Sequence, residues 1–307
     1  MFGSATKPSV VGLDLQMRRG QITALLGANG AGKTTTIAML TGLIPPTSGD
    51  ATIDGRRCST EMRTIRESLG VCPQQNVLFE PLSPTLHLRL FGALKGLSGA
   101  ELHKAIDALL QMVMLSERAH VKSAVLSGGQ KRKLCLAISL IGGSSTLFLD
   151  EPTSGMDPHS RRSIWQLLRA QREGRTLVLT THFLDEAEML ADRIAIMAEG
   201  RLRCCGSPIF LKAKFGVGYR LTIVKATPGG DQRPYDANGL LSLLRRQLPE
   251  TAPLTDGRRE AELQLPGHDM SAFAAAFGAL EEALPKVGVA AYGVSCTTLE
   301  DLSLIHI

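Results

Sequence analysis

The sequence predicts an α/β core built on a mainly parallel sheet, followed by a small α+β domain. Three observations carry this. Apolar strand-like runs alternate with helical periodicity from residue 10 to residue 197. Such alternation builds parallel sheets, because each parallel pairing needs a crossover connection. A glycine-rich segment at 27–32 sits between a buried run and a helical one. After Tyr219 the pattern changes to two helices among three short strands, the make-up of a small α+β unit.

Residues 10–26 alternate and then run apolar, which predicts two strands joined at Arg19-Gly20, the second buried. A helix follows over 34–43, stopped by Pro45-Pro46. Residues 50–57 read as a short strand with an Asp54-Gly55 turn, and 69–73 as another. From 85 to 114 the spacing of Leu86, Leu90 and Leu94, then Leu102, Ile106, Leu109 and Leu110, is helical. Helices are predicted over 131–141, 161–172 and 184–191, and strands over 147–149, 176–181 and 194–197. Residues 227–236, rich in Pro, Gly and charge, read as a loop. The second domain has predicted strands at 219–224, 260–265 and 288–294 and helices at 240–246 and 270–283.

Composition narrows the function. A chain of 307 residues is comfortable for a core plus a smaller domain, and 44% hydrophobic with 21% charged residues is the profile of a folded soluble protein. The net charge of +5 comes from scattered short clusters such as Arg56-Arg57 and Lys131-Arg132-Lys133, a solvated surface and not a nucleic-acid stripe. The six cysteines form no C-x-x-C pair, which points to a reducing compartment. The first twelve residues lack the pattern of a signal peptide. The longest apolar region, 134–149, is interrupted at Gly142-Gly143-Ser144-Ser145, so any membrane segment is expected outside this chain.

Three motifs carry chemistry. Gly27-Ala-Asn29-Gly30-Ala-Gly32-Lys33-Thr34 matches G-x-x-x-x-G-K-[ST]. Its glycines let the backbone curl so that several N–H groups face one anion; Lys33 reaches phosphate, and the Thr34 hydroxyl can hold Mg²⁺. The helix that follows presents its positive N-terminus to the phosphates. The run Leu147-Phe-Leu-Asp150-Glu151 is an apolar strand ending in two acids. Asp150 is placed to hold the Mg²⁺ shell, and Glu151 to orient or deprotonate an attacking water. Leu126-Ser127-Gly128-Gly129-Gln130 opens a basic helix, with Ser127 as its cap and glycines that admit a phosphate.

Together these motifs resemble the nucleotide-binding domains of ABC transporters, P-loop NTPases with a helical subdomain, here expected over about 79–130. The resemblance implies ATP and Mg²⁺ as cofactors. It makes Gln74 the glutamine that senses Mg²⁺ and couples to the membrane part. It makes His182 the switch histidine and places Asp157 in the loop Ser154-Gly155-Met156-Asp157. Glu151, His182 and Lys33 are the expected catalytic set; Thr34, Gln74 and Asp150 are the expected metal set. The nucleotide set is Phe2, Gly27, Asn29, Gly30, Gly32, Lys33, Thr34, Thr35, Gln74, Ser127, Gly129, Gln130 and Asp157. In this family two domains pair head to tail, and each signature motif closes over the ATP held by the other. One set of motifs therefore implies a second domain as partner, with transmembrane domains beside it.

The runs at 21–36, 71–79, 131–144, 216–225 and 292–301 resemble the A subfamily, the lipid exporters, including the regulatory domain that follows each nucleotide-binding domain there. Domain bounds of 1–218 and 219–301 follow from that resemblance. It also implies a cytoplasmic location on a multi-pass membrane transporter. Ser83-Pro84 departs from the family's acidic helix start and is expected to reshape the surface facing the membrane part. Both ends are expected to be cut. The family has a strand before Phe2, and residues 302–307 could be encoded by CTGTCTCTTATACACATC, a common sequencing-adapter sequence, which makes them an expected assembly artefact. A soluble ABC ATPase acting on nucleic acid or ribosomes is the alternative. It would bring a coiled-coil insertion, zinc cysteines or basic arms, none of which the sequence shows. A degenerate, merely structural domain is disfavoured by the intact Lys33, Asp150, Glu151 and His182.

Overall fold

A computed structural model describes residues 8–215, 218–226, 234–266 and 270–296. The chain divides into two compact units, residues 1–208 and 209–307. Phe2 and residues 302–307 lie outside the described residues.

In the first unit, β1 (Ile22–Leu26) is buried along its whole length and runs into the glycine-rich loop and α1 (Lys33–Leu40). Of the two strands expected over 10–26, only this one forms. Residues 10–19 keep the alternation, with Leu13, Leu15 and Met17 turned against the core. They form no ladder; ties such as Val11 N–H to Gly200 O (2.7 Å) hold them singly. The Asp54-Gly55 turn joins β2 (Thr52–Ile53) to β3 (Arg56–Arg57). A helix not anticipated from the sequence, α2 (Cys58–Ser68), follows directly and leads to β4 (Leu69–Cys72).

The single helical stretch expected over 85–114 is two helices, α3 (Pro84–Leu94) and α4 (Gly99–Met112). Gly96, at φ +86°, makes the break. Lys95 holds it in place, its Nζ donating to the carbonyls of Arg66, Glu67 and Leu69 at 2.8, 3.0 and 2.6 Å. In α4 the periodic leucines are the buried face. In α3 they are not: Leu86, Leu90 and Leu94 point out, 42, 40 and 73% exposed, and the helix packs on His87, Leu88 and Gly92 instead. Ser83-Pro84 starts α3 as a regular cap, with the Ser83 hydroxyl accepting from Leu86 N–H.

The chain continues through α5 (Gly128–Leu140), β5 (Thr146–Asp150), α6 (Pro158–Ala170), β6 (Thr176–Thr181), α7 (Leu184–Leu190), β7 (Arg193–Ala198) and β8 (Arg201–Gly206). The sheet order is β4-β5-β6-β1-β7-β8, parallel except for β8. β8 was not anticipated, because its sequence, RLRCCG, is charged and short of apolar residues. It pairs as an edge through a turn at Glu199-Gly200, both at positive φ. Ile37, Phe148, Val178 and Met197 pack with Leu25 on one face of the sheet.

The second unit carries α8 (Pro208–Phe215), β9 (Tyr219–Lys225), α9 (Ala237–Arg245), β10 (Ala252–Asp256), β11 (Glu260–Leu265), α10 (Met270–Ala283) and β12 (Val289–Cys296). Among the described residues its sheet has four strands, not three, in the antiparallel order β10-β11-β9-β12. The extra strand, β10, is an edge of mostly exposed residues and left no alternating pattern to read. Leu221, Ile223, Leu263 and Leu265 face Leu240, Leu244, Phe273 and Ala276 from the two helices.

Candidate functional site

The site lies where β1, β5 and β6 end side by side. At the end of β1 the chain turns so tightly that Gly27 has no room for a side chain: a Cβ there would lie 2.3 Å from Met197 O. Gly32 adopts φ +96°, and a Cβ there would lie 2.5 Å from Ser9 O. These constraints aim the N-terminus of α1 at the space above the strand ends. Asn29 and Gly30 are exposed there, Thr35 is half-buried, and Lys33 is buried. The Lys33 ammonium donates to Gly27 O (2.6 Å) and Ala28 O (3.1 Å). Burial pushes its pKa down, while Glu151 and Asp150 pull it back up.

Asp150, at the end of β5, accepts from the Thr34 hydroxyl at 3.2 Å and from the Thr180 hydroxyl. Glu151 follows at φ +48°, an uncommon conformation for a residue with a side chain, in a class that costs about 1–3 kcal/mol. Its N–H donates to the Thr180 hydroxyl (3.0 Å) and carbonyl (3.2 Å). Its carboxylate is gripped from both sides. His182 Nδ1 sits 2.9 Å from Oε1, and Gln74 Nε2 donates to Oε2 at 3.3 Å. The three motif residues picked from separate parts of the sequence thus meet at one carboxylate.

Two residues of the site were not anticipated. Thr180 holds both acids; the only trace of it in the sequence is a hydroxyl at the end of an apolar strand. Arg132, 3% exposed, is the other. Its guanidinium donates to five backbone carbonyls: Pro73 and Gln74 after β4, Asp150 at the end of β5, and Glu151 and Pro152 just beyond it. Within Lys131-Arg132-Lys133 it reads as surface charge. Only the packing of α5 shows that the middle residue points in and pins the Gln74 segment to the Glu151 segment.

The signature segment is built differently. The Ser127 hydroxyl accepts from Gln130 N–H (3.2 Å), and the Gln130 side chain accepts from Ser127 N–H (3.0 Å), a closed capping box. A Cβ at Gly128 would meet nothing within 4 Å, and one at Gly129 only the Met156 methyl at 4.0 Å. Asp157 caps α6 by accepting from Ser160 N–H at 2.9 Å, and its hydrogen bonds from Ser160 hold its carboxyl below the usual range. Among the described residues these groups make no hydrogen bond to the Gly27–Thr34 loop, to Asp150 or to the Glu151 carboxylate.

No cluster of three or more metal-binding His, Cys, Asp or Glu side chains occurs among the described residues. The Thr34–Asp150 pair is another kind of site, one hydroxyl and one carboxylate, which suits a hard cation that takes its remaining oxygens from phosphate and water. No helix among the described residues is long and apolar enough to cross a membrane.

Comparison with known proteins agrees with this geometry. Residues 10–154 match the family profile described as ABC transporter, and residues 219–299 match an ACT-like domain. The chain is 46% identical over 303 residues to "Phospholipid-transporting ATPase ABCA3" of Homo sapiens, covering 98% of this chain and 17% of that protein. It is 45% identical over 330 residues to "Phospholipid-transporting ATPase ABCA7" of Homo sapiens, covering 99% and 15%. The chain therefore spans about a sixth of the length of these relatives. Among solved structures, the ATP-binding subunit of an ABC transporter superposes with a TM-score of 0.64 at 31% identity, over 70% of this chain and 90% of that one. The dimeric post-hydrolysis cassette MJ0796 bound to ADP and Pi gives 0.63 at 27% identity, over 67% and 94%. The strand ends, the phosphate loop and these likenesses together place the chain in the ABC transporter family, as an ATP-binding cassette of the A subfamily followed by an ACT-like domain.

Proposed function

We propose that this chain is the ATP-hydrolysing module of a lipid transporter, acting as one half of a two-site dimer. The observation that carries the reading is the Glu151 carboxylate, held by His182 and Gln74 one residue beyond Asp150. The loop from Gly27 to Thr35 binds the nucleotide phosphates. Glu151 accepts the proton of the attacking water, and His182 keeps the carboxylate in place. Lys33 leaves its loop carbonyls for the γ-phosphate and offsets the charge that develops there. Thr34 and Asp150, with Gln74, would hold Mg²⁺, which when bound neutralises charge on the β- and γ-phosphates.

The signature segment supports the dimer. Among the described residues nothing crowds a Cβ at Gly128 or Gly129. Close approach of a foreign phosphate supplies a reason, with Ser127, Gly129, Gln130 and Asp157 completing the ATP site of a second nucleotide-binding domain head to tail. The exposed leucines of α3, beside the groove lined by Arg63, Arg66, Phe91 and Lys95, form the surface offered to the transmembrane domains. On this reading residues 1–218 are the nucleotide-binding domain, with its helical subdomain at about 79–130, and 219–301 the small regulatory domain. The cassette works on the cytoplasmic side of the membrane, and its scattered basic residues serve no nucleic acid.

Substitution Glu151→Gln tests the reading. Turnover should fall about 10²–10⁴-fold, the range for loss of a general base, while ATP binding is retained. Steady-state hydrolysis within a few-fold of wild type would remove Glu151 from the chemistry. Transport is tested by restoring the full-length protein and following labelled phospholipid in vesicles with the same variant, which should stop export.

A further inference from the structure

We propose that Glu186 is a positioning residue that locks the loop carrying Glu151 to the helix that follows His182. Glu186 lies on α7 and is 1% exposed. A carboxylate that deep stays only where donors meet it. Its Oε1 accepts from the Thr153 hydroxyl at 2.6 Å and from Trp165 Nε1 at 3.1 Å. Thr153 is fully buried, two residues past Glu151. Trp165 lies on α6, the helix capped by Asp157. One oxygen atom therefore joins three segments: the one bearing Glu151, the one entered through Asp157, and the one that starts beside His182.

A second tie runs alongside. The Arg161 guanidinium of α6 lies 4.4 Å over the Phe183 ring and 3.8 Å from the Asp185 carboxylate. α6 and α7 are thus held as one block. The distance between His182 and Glu151 is set by how α7 docks on the loop after β5, and Glu186 is the polar group that fixes that docking. A displacement of the Asp157 end of α6 is passed to His182 through the same oxygen. Glu186 touches no reacting atom, and its role rests on the ATPase reading above.

Trp165 is the chain's single tryptophan, so its fluorescence reports on this contact. The test compares wild type, Glu186→Gln, Glu186→Leu and Thr153→Val in the 307-residue chain, with Glu151→Gln as the control for hydrolysis. Gln keeps an acceptor for both donors and should keep kcat within about threefold. Leu and Val should lower kcat on the order of 10- to 100-fold, the cost of a small misplacement, with KM for ATP within about twofold. Leu should also shift the Trp165 emission. The proposal is overturned by folded Glu186→Leu or Thr153→Val protein with wild-type kcat. It is equally overturned by Gln as damaging as Leu, or by losses that only track the folded fraction. If Glu186→Leu fails to fold, Thr153→Val decides, since it removes one hydroxyl at constant volume. Wild-type hydrolysis that Glu151→Gln leaves untouched counts against the ATPase reading instead. Trp165 emission then decides for Glu186: identical spectra in wild type and Glu186→Leu would show that the contact does not exist.

Discussion

The phosphate loop and the signature segment are both glycine-rich starts of helices, yet one is built inward and the other outward. Gly27 is glycine because Met197 O occupies the place of its side chain, and Gly32 because of its φ and the Ser9 carbonyl. Among the described residues a Cβ at Gly128 would meet nothing and one at Gly129 only the Met156 methyl, and their helix start is capped by Ser127 and Gln130. The same residue type therefore answers to this chain's own fold in one motif and, on the proposed reading, to a partner's phosphate in the other. Arg132 is what connects the two: it sits one turn into the signature helix and holds the backbone beside Gln74, Asp150 and Glu151.

Breaking that connection should have the largest effect on the fold. Arg132→Leu leaves buried carbonyls without a donor and should destabilise the chain by about 3 kcal/mol or more, read as a fall in Tm by calorimetry. A stability change below about 0.5 kcal/mol would mean that water or a neighbour replaces the guanidinium.

The two glycines test the contrast directly. Gly27→Ala forces a methyl against Met197 O and should cost about 1–3 kcal/mol of stability. Gly129→Ala should leave stability within about 0.5 kcal/mol, as for other surface changes, while lowering ATP hydrolysis of the paired protein by about tenfold or more. Equal loss of Tm in both variants would erase the distinction between an inward and an outward motif. Ser127→Ala removes a helix cap and should cost about 1 kcal/mol, seen in urea unfolding.

The smallest effect concerns pH. The Asp50 carboxyl is lowered to about 2, first by the Ser59 hydroxyl and then by Arg57 and the backbone N–H groups of Ala51 and Ser59. A folded-state pKa below the unfolded value stabilises above the unfolded value, and that stabilisation is lost as pH falls toward about 2. A carboxyl titration by NMR should find the Asp50 midpoint well below those of unpaired aspartates; a midpoint near 4 would break the assignment.

Much of this was legible beforehand because the signals are local. An apolar run followed by Gly-x-x-x-x-Gly-Lys-Thr, or by Asp-Glu, states its geometry within a few residues. The helices and strands that escaped, α2, α8, β8 and β10, are short, charged or exposed. Their backbones are held by neighbours across the sheet or by the turn before them, and no periodicity records that. The α3 leucines predicted their helix correctly but not the face it buries. Period alone marks an apolar stripe, and only packing tells whether the stripe faces the core or another molecule.

The sequence by itself determined the strand–helix alternation of the first unit apart from α2, β8 and the break between α3 and α4, and it determined the phosphate loop, the two acids at the end of β5 and the family, since each depends on residues adjacent in the chain. Tertiary structure alone decided that Gln74 closes on Glu151 beside the expected His182, that Thr180 holds both acids and that Arg132 points inward. It also decided that Glu186 joins Thr153 to Trp165. These contacts join groups 18 to 77 residues apart. They are fixed by which strands lie side by side and by the need of buried polar groups for partners, and neither is written in any stretch of neighbouring residues.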